Sequence, residues 1–383
     1  MTEVDSYPRF QSIRRFGSLD SLRGLAIGAV IVQHTPPLPH QKLPFTDAGA
    51  SGVALFFTLS GFLITTLLLR EEQSTGTISL RDFYIRRTLR IFPLYYAILL
   101  FYTILVLLLE HNAAGRLFIH NLPYFLTYTS NWFVDLIVNE DGQRRVIFIF
   151  AWSLATEEQF YLFWPFLLKY LRRHAAASVL IIVLIVELSL KFLFGRADIP
   201  QNTWDRVLRI ATSPSTEICA GALMALALHS PSGFSALWKL FGRRWCAPLA
   251  ALLALGVLLW PGDASESWYL AVAIAFAILV TTCVIREDHG LARVLKTPFL
   301  TRIGIVSYGM YMLHMLAVNS VKAAETRAGL HNQMLQFILA LSLAYIAAEI
   351  SFRYFESPIL RFKERFQHVG MVPLPATAKG NTE

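Results

Sequence analysis

The chain is a succession of apolar blocks joined by short polar, Pro-broken or Arg-rich connections. The blocks fall at about 18–35, 53–69, 91–109, 147–168, 178–194, 209–229, 247–260, 268–285, 303–319 and 334–353. Roughly 17 to 25 apolar residues in a helix cross a bilayer core. Inside lipid the backbone must bond within its own segment, so helices are the elements these blocks predict. The expected fold is all-α: a polytopic membrane helix bundle of about ten transmembrane helices. A further stretch, 117–133, is apolar but carries His120, Asn121, Pro123 and Asn131.

Charge decides how that stretch is read. The block at 147–168 runs into Lys169-Tyr-Leu-Arg-Arg173. If 117–133 crossed the membrane, this basic end would lie outside, against the positive-inside rule. A re-entrant or interfacial 117–133 restores it, with both termini cytoplasmic. The connections holding Arg70 and Arg81, then Lys239, Arg243 and Arg244, then Arg286, Arg293, Lys296 and Arg302, all fall inside. The Pro-broken connection at 34–42 and the one at 261–267 fall outside. Residues 1–17 read as a cytoplasmic leader, 18–355 as the membrane domain, and 356–383 as a mostly disordered cytoplasmic tail.

At 55% hydrophobic and 16% charged, the chain has no room for a sizeable soluble domain. A net charge of +8 would suggest nucleic acid in a soluble protein. Here the basic residues collect in particular loops, and topology explains them without a nucleic-acid partner. Cys219, Cys246 and Cys283 lie in or beside apolar blocks at no metal-ligand spacing, so neither a disulfide framework nor a metal site is expected. No small-residue cleavage site follows the first block, which reads as an uncleaved span. No internal repeat is visible, which weakens a transporter reading.

Ionisable groups inside the blocks carry the chemistry, because such groups are costly in lipid and usually face a bundle interior or wet cavity. The first block holds Asp20, Arg23 and His34. Eleven residues at ~100° each return to within about 20° of the same face, so Arg23 and His34 share a side, with Asp20 one turn below. Gly24 and Gly28 form a G-x-x-x-G on an adjacent face, where another helix can approach. In the fourth block Ser153, Glu157 and Tyr161 form one stripe, and Glu157 sits at a depth similar to His34. A carboxylate beside a histidine suits a general base acting on a hydroxyl.

Arg86, Arg87 and Arg90 stand at helical spacing just below a membrane entry. Such a cluster serves topology, or binds a phosphorylated donor arriving from the cytosol. Ser307, Tyr311 and His314 can share a face, although tyrosines near membrane ends commonly form aromatic belts. Ser60-Gly61 offers a close helix contact. Glu187 with Lys191 and Glu349 with Arg353 are spaced as ion pairs and read as structural.

Five stretches, in this order, resemble the acyltransferase-3 family of integral membrane O-acyltransferases. They are Leu19-Asp-Ser-Leu-Arg-Gly24 followed by His34; Phe56-Phe-Thr-Leu-Ser-Gly-Phe-Leu-Ile64; Phe83-Tyr-Ile-Arg-Arg-Thr-Leu-Arg-Ile-Phe-Pro93; Trp152-Ser-Leu-Ala-Thr-Glu-Glu-Gln-Phe-Tyr161; and Ser307-Tyr-Gly-Met-Tyr-Met-Leu-His314. The resemblance implies transfer of an acyl group, usually acetyl, from cytosolic acyl-CoA to a hydroxyl of a glycan or glycoside at the outer face of a bacterial inner membrane. It makes His34 the essential histidine, Arg23 its motif partner and Arg86, Arg87 and Arg90 the donor signature, with no permanently bound cofactor.

Together these readings give His34, Glu157 and Arg23 as catalytic candidates, and Arg86, Arg87 and Arg90 as donor ligands. Ser60, Asn131, Ser153, Tyr161, Tyr311 and His314 are cavity or acceptor candidates. His34 as base or as nucleophile both stay open. Ser213-Pro-Ser-Thr-Glu-Ile-Cys-Ala-Gly221 lacks the Arg and Asp that many relatives place before that glycine. Some relatives add an extracytoplasmic esterase-like domain; here the acceptor is expected to meet the membrane domain or a partner. The rival reading is a transporter or flippase whose Arg, His and Glu line a permeation path.

Overall fold

The computed structural model describes residues 3–13, 15–37, 49–134, 146–194, 203–260, 266–330 and 332–366, and among these there is no strand. The helices are α1 (Glu3–Ser12), α2 (Gly17–His34), α3 (Gly49–Thr75), α4 (Leu80–Leu109), α5 (Ala113–Leu126), α6 (Ser130–Phe133), α7 (Ala151–Tyr170), α8 (Arg173–Phe194) and α9 (Thr203–Ala211). They continue with α10 (Thr216–Leu228), α11 (Pro231–Phe241), α12 (Cys246–Leu258), α13 (Glu266–Ile285), α14 (Ala292–Leu295), α15 (Pro298–Ala328), α16 (Gln333–Ser351) and, after a π-helical segment Phe352–Glu356, α17 (Ser357–Lys363). Polar residues set the ends. Ser79, Asn112, Ser215, Ser230 and Asn332 accept first-turn backbone N–H groups of α4, α5, α10, α11 and α16. Gly329, at φ 65°, closes α15 in the left-handed conformation.

Among the described residues five helices, α3, α4, α8, α13 and α16, are long and apolar enough to cross a bilayer. The long helices α2, α7 and α15 spend positions on polar side chains, and α10 and α12 have 13 residues each. Large apolar side chains stand exposed along α4 (Leu100, Leu107), α8 (Ile182, Phe192) and α16 (Ile346, Ile350). Such a surface is stable against lipid and not against water. The protein is an all-α membrane protein.

Glycines set how closely the inner helices approach. A Cβ on Gly61 would lie 2.0 Å from the Ile218 carbonyl oxygen, and one on Gly221 would lie 2.1 Å from that of Thr58, so α3 and α10 meet backbone to backbone. Gly304 of α15 has the same relation to Asp20 of α2, at 1.7 Å. Gly24 also faces α15, 3.0 Å from the Leu300 oxygen, whereas a Cβ on Gly28 would meet nothing within 4 Å. Only half of the G-x-x-x-G is a packing edge. Small residues suit membrane interfaces because helix association there rests on close packing.

The stretch read as re-entrant or interfacial becomes α5 and α6. At 14 residues α5 is about 21 Å long, short of the ~30 Å hydrocarbon core. Its final carbonyls are held by α4: the Tyr95 hydroxyl donates to Phe125 O at 2.8 Å and Tyr96 to Leu126 O at 3.0 Å. The leader is a docked helix. Phe10 is buried, and Arg70 donates to the carbonyl oxygens of Ile13 and Phe10. Ordered structure continues into the expected tail as far as Phe366, and residues 38–48, 261–265 and 367–383 of the expected loops and tail lie outside the described residues.

Of the two expected ion pairs, Lys191–Glu187 is present, with Thr216 donating to the same carboxylate at 3.0 Å. The other is corrected. Glu349 pairs with Arg302 of α15. With that carboxylate taken by another helix, the Arg353 guanidinium lies over Tyr354 instead.

Candidate functional site

Arg23 and His34 stand on one helix, and the glycine contacts bring two more helices against it. Gly24 and Gly304 let α15 run beside α2, and Gly52, whose Cβ would lie 2.6 Å from Ala26 O, does the same for α3. A narrow cleft of about 40 Å³ opens between them, lined by Arg23, Phe56, Glu157, Ser307, Tyr308 and Tyr311 among others. That is room for a few waters. The guanidinium and carboxylate singled out in the sequence thus share one cavity.

Glu157 accepts from the Ser60 hydroxyl at 2.7 Å and from Tyr161 one turn on. Arg23 and Arg87 lie within Coulombic reach of it. Higher on α7, the Ser153 and Tyr311 hydroxyls are 2.6 Å apart, and Tyr311 donates to the Phe150 carbonyl at 2.9 Å. Ser60, Ser153, Tyr161 and Tyr311 therefore all join the network around the cleft.

His34 is half-buried at the C-terminal end of α2. Its ring lies 5.1 Å, centroid to centroid, from that of His314. Its carbonyl accepts from Lys322 at 3.2 Å. His314 is fully buried, with Nδ1 2.5 Å from the Tyr311 carbonyl oxygen. Sequence reasoning expects a carboxylate beside His34; the structure sets Glu157 among Ser60, Tyr161 and Arg23, and packs a second imidazole against His34.

The three arginines of α4 diverge. Arg86 is buried in a 2.5 Å ion pair with Glu71 and donates to Phe366 O at 2.7 Å; Glu71 also accepts from Ser79 N at 2.9 Å. That guanidinium clamps α4 to α3 and to the chain after α17. Arg87 lies over the rings of Phe83 and Tyr161, at 5.7 and 5.3 Å, and Arg90 over Tyr308 at 6.0 Å. Arg23 is within Coulombic reach of both, and Tyr308, under the Arg90 guanidinium, lines the cleft. Asp20 pairs with Arg15 at 2.7 Å.

Asn131 serves elsewhere. Its amide exchanges hydrogen bonds with Gln159 at 3.0 and 2.8 Å and donates to Thr156, tying α6 to another face of α7. Beside it a pocket of about 240 Å³ lies between α7, α8 and α10, with walls such as Phe160, Phe163 and Leu180 and no charged side chain in its lining. Size favours that pocket, but the ionisable groups are at the smaller cleft. Sequence reasoning missed Tyr308, Glu158 and Glu356. Tyr308 and Glu158 sit inside motifs already quoted; Glu356, buried and within reach of Arg90, falls where a tail is expected.

The model of an acyltransferase domain matches residues 16–351, most of the chain. The chain belongs to the acyltransferase-3 family. A provisionally named O-acetyltransferase of Staphylococcus aureus (strain COL) is 27% identical over 94% of this chain and 59% of its own length. The peptidoglycan O-acetyltransferase OatA of Listeria monocytogenes is 26% identical over 89% of this chain and 55% of its own. The acyltransferase-3 chain thus spans little more than half the length of these relatives. No solved structure matches it significantly. Within this acyltransferase-3 chain no group of three or more metal-ligating side chains occurs among the described residues.

Proposed function

We propose that the protein transfers an acyl group, acetyl in the first instance, from cytosolic acyl-CoA to a hydroxyl of a glycan or glycoside at the outer face of a bacterial inner membrane. The observation that carries this is the shared cleft of Arg23 and Glu157, with Arg87 and Arg90 within Coulombic reach of Arg23 and His34 further along the same helix. Guanidinium forks match phosphate geometry, which suits Arg87 and Arg90 to the CoA phosphates. Arg86, committed to Glu71, holds α4 in place. In this reading α2, α3, α4, α7, α8, α10, α12, α13, α15 and α16 are the ten crossings, both termini are cytoplasmic, and α5–α6 stays on one side.

His34 accepts the proton of the acceptor hydroxyl while its oxygen attacks the thioester carbonyl carbon. The new C–O bond forms, the C–S bond breaks, and the thiolate takes the proton from His34 to leave as free CoA thiol. Arg23 lends positive charge to the cleft through which the thioester reaches the imidazole. The Listeria relative named a peptidoglycan O-acetyltransferase points to a cell-envelope glycan as the first acceptor class to try.

The test is the purified chain in lipid vesicles with radiolabelled acetyl-CoA on one side and muropeptide or envelope glycan on the other. Label on the glycan with one free thiol released per ester is expected. Movement of glycan without thiol release would overturn the reading in favour of a transporter.

A further inference from the structure

His314 has no assigned task in that reaction, yet it is the most confined imidazole near the site. A buried polar nitrogen without a partner is costly, so each nitrogen of a fully buried ring needs an account. Nδ1 is 2.5 Å from the Tyr311 carbonyl oxygen. A carbonyl only accepts, so Nδ1 carries the proton, and in the neutral ring Nε2 is then purely an acceptor. That Nε2 is buried and has no hydrogen-bond partner.

The surroundings limit what reaches it. Among the described residues the rings packed on His314 are those of Phe150 and Tyr311, each at 5.4 Å, and His34 at 5.1 Å. Phe150 has no polar atom, and the Tyr311 hydroxyl is committed to Ser153 and the Phe150 carbonyl. Lys322, the nearby cation, is bonded to the His34 carbonyl. Of the three rings, His34 alone brings an N–H. No hydrogen bond joins the two rings in this structure, but at this centroid spacing a turn of the His34 ring can bring a nitrogen to about 3 Å from Nε2, and such contacts commonly tighten when substrate binds.

We propose that His314 is a positioning residue: its Nε2 accepts an N–H from the His34 ring and fixes which His34 nitrogen faces the acceptor hydroxyl with a lone pair. The role rests on the acyltransferase reading above. It is the one a carboxylate or backbone carbonyl usually plays behind a working histidine, where the hydrogen bond on one ring nitrogen sets the tautomer of the other. Here a second imidazole, locked by its own helix, takes that place, and Glu157 is left to the Arg23 cleft.

Two variants of the full reconstituted chain test it. His314→Leu keeps similar bulk without an acceptor and is expected to lower kcat about 100-fold with the KM for acetyl-CoA unchanged. His314→Gln, whose amide oxygen can stand near the Nε2 position, is expected to recover about tenfold of that loss. In [15N]histidine-labelled wild-type protein, His314 is expected as the Nδ1–H tautomer, with its Nε2 shift moving in His34→Ala. Wild-type kcat in His314→Leu, an Nε2–H tautomer, or an unmoved shift would each overturn the proposal. The spectra decide even if the leucine variant does not fold. They also separate the two ideas, because absent acyl transfer in wild type refutes the acyltransferase reading while the tautomer and its coupling to His34 are still read.

Discussion

The imidazole of His34, at the end of α2, packs 5.1 Å from that of His314 in α15, although 280 residues separate the two in sequence. The pairing follows from backbone contact lower on the same two helices, where Gly24 meets Leu300 and Gly304 meets Asp20. Small residues at one end of a helix pair thereby register reactive groups at the other.

That registration is testable at the glycines. Gly304→Ala would put a methyl 1.7 Å from the Asp20 carbonyl oxygen, and is expected to cost about 1–3 kcal/mol or more by forcing α2 and α15 apart. Gly28→Ala, with open space within 4 Å, is expected to be neutral or to stabilise by up to about 1 kcal/mol through helix propensity. Thermal unfolding of both variants in detergent, with thiol release from acetyl-CoA, checks the contrast.

The α4 arginines are expected to split into two phenotypes. Arg86→Ala takes the guanidinium away from the buried Glu71 carboxylate, a change that typically costs about 3–5 kcal/mol, so folded yield and melting temperature fall. Arg87→Ala and Arg90→Ala are each expected to raise the KM for acetyl-CoA roughly tenfold, the scale of one charge-assisted hydrogen bond, with little change in melting. Steady-state kinetics beside thermal unfolding separates the two kinds.

Acid sensitivity has a local source in the connection between α13 and α14. His289 Nε2 is 2.9 Å from the Ser18 hydroxyl, and burial pushes the His289 pKa down to about 4. The unfolded chain, near 6.5, binds the proton first, so this contribution is intact above pH ~6.5 and is lost as pH falls toward 4. A His289→Gln variant is expected to show a flatter decline of melting temperature across that window than the parent chain.

Much of the bundle was legible because apolar length in lipid leaves helices as the only open-chain solution. The stripe Ser153, Glu157, Tyr161 was visible for the same reason that any helical face is: fixed periodicity along one element. What periodicity does not carry is which neighbour faces the stripe. It places Arg23 and His34 on one side of α2, yet it cannot say that Glu157 meets Ser60 while His34 meets His314, since those partners lie on helices far off in sequence. Arg86 shows a second limit. Three arginines at helical spacing look alike in sequence, and only Glu71 of α3 sets one apart. The Glu349–Arg353 expectation failed in the same way, because Arg302 of α15 takes the carboxylate and spacing along one helix cannot show that.

The central claim is that Arg23 and His34 act on one acyl group along one side of α2. The measurement that tests it most directly is acyl transfer from acetyl-CoA by purified wild-type, Arg23→Ala and His34→Ala proteins matched for folded content. Transfer is expected to fall at least 1,000-fold in His34→Ala, about the scale of losing a general base, and to fall steeply in Arg23→Ala. Wild-type turnover in His34→Ala would contradict the account.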